Sequence, residues 1–168
     1  LFVKNQGYDF GMFYKGYQYI KHKNYEKIAC INDSNIVFGS LKPIFVWAEK
    51  TNFDFWGLVD SVNKPVYSTH THNYHLQSHF LVFNQLAISY LDEYFEQINM
   101  EKIFKITEAK EVKKIVIDQW EIGLSQFLLS KKLSLGAYFS VNNLNRFTQF
   151  SANIEKLNIS LDLFPAMI

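Results

Sequence analysis

Apolar positions follow two kinds of spacing along this chain, and the two kinds alternate. Intervals of three and four residues, typical of one helix face, separate Phe10, Phe13, Tyr14, Tyr17 and Ile20. Helical spacing also occurs in PIFVWAEK, in residues 85–98 and in residues 108–130. Short apolar runs typical of strands stand between these segments, namely LFVK, YEKIACI, FDFWGLV, SHFLVF and GAYF. The pattern therefore predicts strands in alternation with helices.

Strands that alternate with helices are typical of layered α/β folds, in which a largely parallel sheet is flanked by helices. We therefore predict an α/β fold with a mostly parallel sheet. The chain has 168 residues, of which 48% are hydrophobic, and this is enough for a single domain with its own core, residues 1–168. The asparagine-rich C-terminal part, residues 141–168, is expected to be irregular or to form short helices.

Charge and cysteine content narrow the functional classes. The chain has 17 basic and 16 acidic residues, a formal net charge of +1, so a nucleic acid partner is not expected. Arg146 is its single arginine, which leaves phosphate recognition to lysine, backbone amides or a metal. Cys30 is its single cysteine, so an intrachain disulfide is excluded and a cytoplasmic protein is favoured. The sequence has no apolar run long enough for a membrane span.

The first candidate site is the turn NQGYDFG, which precedes the first helix. Gly7 and Gly11 allow another backbone or a ligand to come close, and the N-terminus of the helix favours anions. Asp9 can equally be the N-cap of that helix. The turn is therefore either an anion site or an ordinary helix cap.

The second candidate site is NDS, directly after the YEKIACI run. Open α/β sheets bind ligands at the carboxyl ends of their strands, and Asp33 is placed there to hold a divalent cation together with substrate phosphates. Asparagine, aspartate and serine are also ordinary turn residues, because their side chains hydrogen-bond to the nearby backbone. Asp33 and Ser34 are therefore either ligand-binding residues or turn residues.

The third candidate site is a group of four histidines, His70, His72, His75 and His79. Zinc binds histidines at short spacings, but the regular helical spacing and the cysteine partners of strong zinc motifs are missing from this stretch. His75 lies next to the SHFLVF run. Its imidazole and the amide of Gln77 suit hydrogen bonds to hydroxyl and phosphate groups.

Glu121, in DQWEIGLSQFLL, is the fourth candidate. On a helix it shares a face with Ser125, while Trp120 and Leu124 share the neighbouring apolar face. A carboxylate at such a border is either solvated or a general base at the rim of a cleft.

In this order, the stretches resemble the rhamnan synthesis protein F family, bacterial glycosyltransferases that build rhamnose-containing cell-wall and O-antigen polysaccharides. The resemblance is carried by NQGYDFG with YKG, INDS, DFWGLVDS, YHLQSHFLVF, and WEIGLSQFLL followed by GAYF. It spans about residues 3–140, and DFWGL with HLQSHFLVF is its specific part.

The resemblance implies a GT-A-like nucleotide-sugar-binding fold whose N-terminal strand and helix would precede Leu1. It also implies that Asp33 holds the donor diphosphate and a divalent cation, Mg²⁺ or Mn²⁺. The chain has Ser34 and Asn35 after this single aspartate instead of the usual two-aspartate form, which leaves metal dependence open. Glu121 falls where inverting enzymes of this kind carry the catalytic base.

The implied reaction is a single displacement at the anomeric carbon of the donor sugar. The resemblance implies a set of donor-binding residues, namely Gly7, Asp9, Gly11, Lys15, Asp33 and Ser34. It implies that the sugar or the acceptor contacts Trp56, His75 and Gln77. Trp56 would stack on a sugar ring, although a tryptophan of this kind is equally expected in a core.

The resemblance further implies dTDP-rhamnose as the nucleotide-sugar donor and a lipid-linked glycan as the acceptor, with peripheral association at the inner face of the cell membrane. A noncatalytic carbohydrate-binding or scaffolding module is the alternative, since 17% of the residues are aromatic. A zinc hydrolase built on the histidine-rich stretch is a third hypothesis, and it would require stoichiometric zinc.

Overall fold

The computed structural model describes residues 2–33, 37 and 39–141, so Ser34 and the predicted C-terminal segment after Val141 lie outside the described residues. The strands are β1 (Lys27–Ile31), β2 (Phe55–Ser61), β3 (His75–Leu76), β4 (Phe80–Asn84) and β5 (Leu135–Phe139). The helices are α1 (Tyr8–Ile20), α2 (Lys42–Thr51), α3 (Gln85–Ser89), α4 (Leu91–Glu96), α5 (Met100–Phe104), α6 (Ala109–Ile115) and α7 (Leu124–Ser130). A π-helical segment, Val116–Gly123, joins α6 to α7. Within these ranges, no helix combines the length and the apolar character that crossing a membrane requires.

Two of the predicted elements are wrong, while the other predicted helices and strands within the described residues are confirmed. Residues 2–4 form no strand, because the carbonyl of Lys4 and the side chain of Gln6 accept hydrogen bonds from Lys15 on α1 instead of from a neighbouring strand. The helix predicted over residues 85–98 is broken at Tyr90, where a turn separates α3 from α4.

The predicted mostly parallel sheet, and with it the GT-A-like sheet, is wrong. The strands lie in the order β1–β4–β2–β5, and β3 pairs with the end of β2. β4 is antiparallel to both β1 and β2, and β3 is also antiparallel to β2, so that β2 with β5 is the parallel pair among the described strands. β1, β2 and β5 do run in one direction, as alternation with helices predicts. β4 enters between β1 and β2 in the opposite direction, and the hydrophobic pattern does not report which strands are neighbours.

β1 lies at the edge of the sheet, although an apolar run such as YEKIACI is also typical of a buried strand. Its residues alternate between exposed and half-buried, with Lys27, Ala29 and Ile31 exposed. The alternation follows because successive residues of a strand point to opposite faces of the sheet, and Ile28 and Cys30 are on the face that packs against the core.

A bulge separates β3 from β4 and shapes the polar region described below. Leu76 stands opposite Asp60 on β2, and Leu81 stands opposite Gly57, so four residues of one strand, 77–80, face two of the other. Extra residues in one strand leave the ladder and bend the strand, and such bulges are common next to active sites. The bulge therefore presents residues 77–79 away from the regular pairing.

Helices cover both faces of the sheet and bury two apolar clusters. On one face, the ring of Trp120 stacks on Phe10 at 5.0 Å and on Phe95 at 5.9 Å between centroids. On the other face, α2 covers Trp56, Phe80 and Val82. A side chain at Gly11 would place its Cβ 1.9 Å from the carbonyl oxygen of Gln6, so the turn before α1 can pack this closely only with glycine there. These contacts fix α1 and the π-helical segment against the sheet.

Candidate functional site

The bulge between β3 and β4 is the place where polar residues from all four candidate stretches meet. The backbone N–H of Asn32 donates to the carbonyl of His79 at 3.2 Å, and the Asn32 side-chain amide donates to Asp9 Oδ2 at 2.5 Å. The backbone N–H and the hydroxyl of Ser78 donate to Glu121 Oε1 at 3.0 and 2.9 Å. We call Asp9, Asn32, Ser78, His79 and Glu121 the bulge site.

Glu121 is carried by the π-helical segment rather than by a regular α-helix. The wider π turn is visible at the carbonyl of Gln119, which accepts from the backbone N–H of Leu124 five residues later and also from the hydroxyl of Tyr94. A Cβ at Gly123 would lie 2.9 Å from that hydroxyl, so glycine leaves room for it. π-helical turns within α-helices occur frequently at functional sites.

The two oxygens of Glu121 differ in their partners. Oε1 accepts both hydrogen bonds from Ser78, whereas Oε2 accepts none from residues 2–33, 37 or 39–141. Because Glu121 is only partly buried, Oε2 is available to a ligand. This arrangement suits a carboxylate that accepts a proton from a bound hydroxyl group.

Two titratable side chains lie in the electrostatic range of Glu121. Burial lowers the pKa of His79 and outweighs the charge of Glu121, which acts in the opposite direction. His79 is therefore neutral at neutral pH. Burial, followed by the charges of Glu121 and Asp118, raises the pKa of Tyr67, so its phenol keeps its proton. Both groups can donate or accept hydrogen bonds beside the carboxylate.

Asp118 ties the loop between β2 and β3 to the π-helical segment. Its Oδ1 accepts from the backbone N–H of Thr69 at 2.9 Å, and its Oδ2 accepts from the Thr69 hydroxyl at 2.8 Å. Burial alone would raise the pKa of Asp118, but hydrogen bonds from Thr69 and Ser68, together with the charge of His70, lower it. A charged Asp118 therefore holds this loop, which also carries Tyr67, next to Glu121.

Asp60 is a second buried carboxylate, at the carboxyl end of β2, with only 1% of its surface exposed. It accepts hydrogen bonds from the hydroxyl of Tyr74 at 2.9 Å and from the hydroxyl of Ser140 and the backbone N–H of Val141, both at 2.6 Å. Burial and the bond to Asp60 raise the pKa of Tyr74 to about 12. Asp60 thus joins β2, the loop before β3 and the end of β5.

The donor-binding residues predicted in the first turn all have packing or hydrogen-bonding partners. Gly7 has a φ of 75° as the residue before α1, a left-handed conformation that favours glycine. The ammonium group of Lys15 donates to the carbonyl of Lys4 at 2.7 Å and to Gln6 Oε1 at 3.0 Å. Lys15 therefore lies beside the turn that contains Gly7 and Gly11, and donor binding by these residues stays a prediction.

Asp33 is exposed in the turn after β1, while Ser34 lies outside the described residues. No group of three or more histidine, cysteine, aspartate or glutamate residues in the described ranges could hold a metal ion. The described residues therefore do not form a metal site made of protein ligands alone, and the four histidines do not come together as a zinc site. A cation at Asp33 would depend on substrate phosphates for its other ligands.

The predicted sugar-contacting residues occupy mostly buried positions. Trp56 is 5% exposed and packs edge-on against Trp47, with ring centroids 5.7 Å apart. His75 is buried, and its Nδ1 shares a hydrogen bond with the carbonyl of Asn73. Gln77 is half-buried in the bulge, where its backbone N–H donates to Val59. Of these three residues, Gln77 is the one next to Ser78 of the bulge site. Sugar contact by Trp56, His75 and Gln77 stays a prediction.

An apolar cavity among the described residues is separate from the bulge site. It has a volume of about 400 Å³ and lies between α1 and the sheet, with Phe13, Tyr17 and Ile28 in its lining. Cys30 also lines it, and burial raises the pKa of this thiol to about 12, so the thiol is unreactive.

The sequence interpretation missed Ser78, Asp118 and Asp60 as site-building residues. Two signals were present: a serine and a histidine interrupt the apolar run YHLQSHFLVF, and an aspartate stands inside the apolar run DFWGLVDS. Polar residues within a strand pattern indicate a bulge or a buried hydrogen-bond network. Neither signal indicates which residue the polar side chain binds. For Ser78 that residue is Glu121, 43 positions further along the chain.

Comparison with curated proteins gave no significant match, and comparison with solved structures gave none either. One protein-family model, described as Rhamnan synthesis protein F, matches residues 1–159. The match includes every segment of the bulge site and confirms the resemblance carried by the sequence motifs. The chain therefore belongs to the rhamnan synthesis protein F family, which takes part in polysaccharide biosynthesis.

Proposed function

We propose that this chain forms the acceptor-activating part of a glycosyltransferase. The enzyme transfers rhamnose from a nucleoside-diphosphate sugar to a growing cell-surface polysaccharide, with inversion at the anomeric carbon. The observation that carries the proposal is Glu121, whose Oε1 is held by two hydrogen bonds from Ser78 while Oε2 is left for a ligand. Family membership supports the class of product.

In the proposed reaction, an acceptor hydroxyl group attacks the anomeric carbon as Oε2 of Glu121 takes its proton. The bond between that carbon and the diphosphate oxygen breaks, and its electron pair leaves with the nucleoside diphosphate. A general base placed within hydrogen-bond reach typically contributes about 10²–10⁴-fold to such a step. We assign the orientation of the acceptor hydroxyl to neutral His79 and protonated Tyr67, whose pKa values both respond to the charge of Glu121.

The departing diphosphate needs positive charge and hydrogen-bond donors. We assign this role to Lys15 and to the first backbone amides of α1, which have no partners within the helix. Two of the three N–H groups of Lys15 are used by Lys4 and Gln6, and the third, which has no hydrogen-bond partner among the described residues, can bind a phosphate oxygen. The carboxylate of Asp9 lies at the same helix end and would repel a phosphate. The side-chain amide of Asn32 donates a hydrogen bond to Asp9 Oδ2 and offsets part of this repulsion.

Donor binding tests the proposal. Isothermal titration calorimetry of the protein with dTDP-rhamnose, and with UDP-sugars for comparison, should show binding in the micromolar to millimolar range, with dTDP-rhamnose binding tighter. A carbohydrate-binding module would instead bind glycan without binding any nucleotide sugar. That outcome would overturn the proposal in favour of the module.

Replacing Asp33 with Asn should remove any strengthening of donor binding by Mn²⁺. The exposed Asp33 carboxylate attracts a diphosphate only through a shared cation, so we expect the dissociation constant measured with Mn²⁺ to rise about tenfold, or about 1.4 kcal/mol. Asp92→Asn, at a carboxylate 48% exposed on α4, is the matched control and should bind like the wild type. Equal Mn²⁺ dependence in both variants would mean that Asp33 is a turn residue.

A further inference from the structure

We infer that Ser78 is the positioning residue for Glu121 and determines which carboxylate oxygen receives the acceptor proton. The inference rests on the proposed function and names a residue outside the predicted set. Ser78 contacts neither the acceptor hydroxyl nor Oε2 in the proposed reaction. It acts through its hydrogen bonds to Oε1 of Glu121.

Both donor groups of Ser78 converge on a single oxygen. The backbone N–H lies 3.0 Å from Glu121 Oε1, and the hydroxyl oxygen lies 2.9 Å from the same atom. A carboxylate oxygen has two in-plane lone-pair directions, and two donors at these distances use both. Proton uptake is thereby directed to Oε2.

The position of Ser78 is fixed from both sides of the bulge. The backbone N–H of Gln77 donates to the carbonyl of Val59 at 3.0 Å, and the carbonyl of His79 accepts from Asn32 at 3.2 Å. Ser78 itself is 5% exposed. Its donors are therefore held against β1 and β2, and they limit rotation of the Glu121 carboxylate about its last side-chain bond.

Orientation of this kind contributes to turnover more than to donor binding. Both donors from Ser78 bind the Glu121 carboxylate at a single oxygen, Oε1. They also hold Oε2 in one direction, and a misplaced catalytic group slows the reaction even when the substrate still binds. The acceptor O–H bond then breaks as the Oε2–H bond forms.

Ser78→Ala should lower kcat about tenfold and leave the KM for the donor within about twofold. Ser78→Thr keeps the hydroxyl and should recover at least half of the wild-type kcat. The matched control is Ser125→Ala, because the buried Ser125 hydroxyl accepts from the backbone N–H of Leu76 at 3.1 Å and does not bond to Glu121. The control loses a comparable buried hydrogen bond between the helix and the strand but should keep the wild-type kcat.

Each outcome decides one claim. Equal kcat values for Ser78→Ala and Ser125→Ala would overturn the positioning role. Turnover by Glu121→Gln at the wild-type rate, or no transfer by the wild-type protein, would overturn the proposed function instead.

Amide hydrogen exchange tests the contact without relying on activity. In Glu121→Ala, exchange at the backbone N–H of Ser78 should become at least tenfold faster. Exchange at Leu76, whose N–H is held by Ser125, should not change. Unchanged exchange at Ser78 would overturn the inference whatever the assay for transfer shows.

Discussion

Glu121→Gln is expected to lower the kcat for sugar transfer by about 10²–10⁴-fold, the usual contribution of a general base. Glutamine has the shape of glutamate and keeps an oxygen that can accept both hydrogen bonds from Ser78. Its amide nitrogen, however, cannot take up the acceptor proton at the place of Oε2. The dissociation constant for dTDP-rhamnose should stay within about twofold, since the donor contacts are assigned to other residues.

The measurement is steady-state transfer combined with calorimetric donor binding. Glu111→Gln makes the same chemical change at an exposed position on α6 and should keep the wild-type kcat. Loss of both donor binding and thermal stability in Glu121→Gln would instead assign Glu121 a structural role at the bulge. A wild-type kcat would remove it from the mechanism altogether.

Hydrophobic spacing was sufficient to predict most of the elements, but not their arrangement. The helical face from Phe10 to Ile20 and the long helix that carries Trp120 are both present. The prediction of a mostly parallel sheet was wrong because β4 lies between β1 and β2 and runs antiparallel to both. Pairing between strands depends on contacts between distant residues, which periodicity does not encode.

The candidate site was predicted in its parts but not in its assembly. Glu121 stood out because a carboxylate bordered an apolar helix face, and the structure places it in contact with the HLQSH stretch through Ser78. The serine and histidine in this stretch indicated an interruption of the strand, but the form of the bulge depends on the register of β2 against both β3 and β4, which the hydrophobic pattern does not report. The π-helical segment was equally hidden, because apolar spacings of three and four residues predict a helix but do not distinguish α from π hydrogen bonding over a single short segment.

The π-helical segment links the stability of the loop before β3 to the geometry of the bulge site. Asp118 and Glu121 lie three residues apart in it, one bonded to Thr69 and the other to Ser78. After burial, the charges of both carboxylates raise the pKa of the loop residue Tyr67. Breaking the contact of Asp118 should therefore release the loop that lies beside Glu121.

Asp118→Asn should destabilise the fold at pH 7 by about 2–4 kcal/mol, because the variant loses a charged acceptor for buried donors and turns an amide toward one of them. In thermal unfolding this corresponds to a Tm lower by roughly 5–10 °C. Asp33→Asn makes the same chemical change at an exposed carboxylate, and its Tm should stay close to that of the wild type.

The difference in Tm between the wild type and Asp118→Asn should decrease as the pH is lowered. Hydrogen bonds from Thr69 and Ser68 and the charge of His70 hold the pKa of Asp118 below that of the unfolded chain, against the effect of burial. The folded state then binds fewer protons than the unfolded state, so the stabilisation is complete above about pH 4. It is lost as the pH falls from there through the lower pKa of the folded state. Wild type and Asp118→Asn should therefore converge in Tm toward pH 3, and a constant difference from pH 7 to pH 3 would mean that Asp118 acts through its shape rather than its charge.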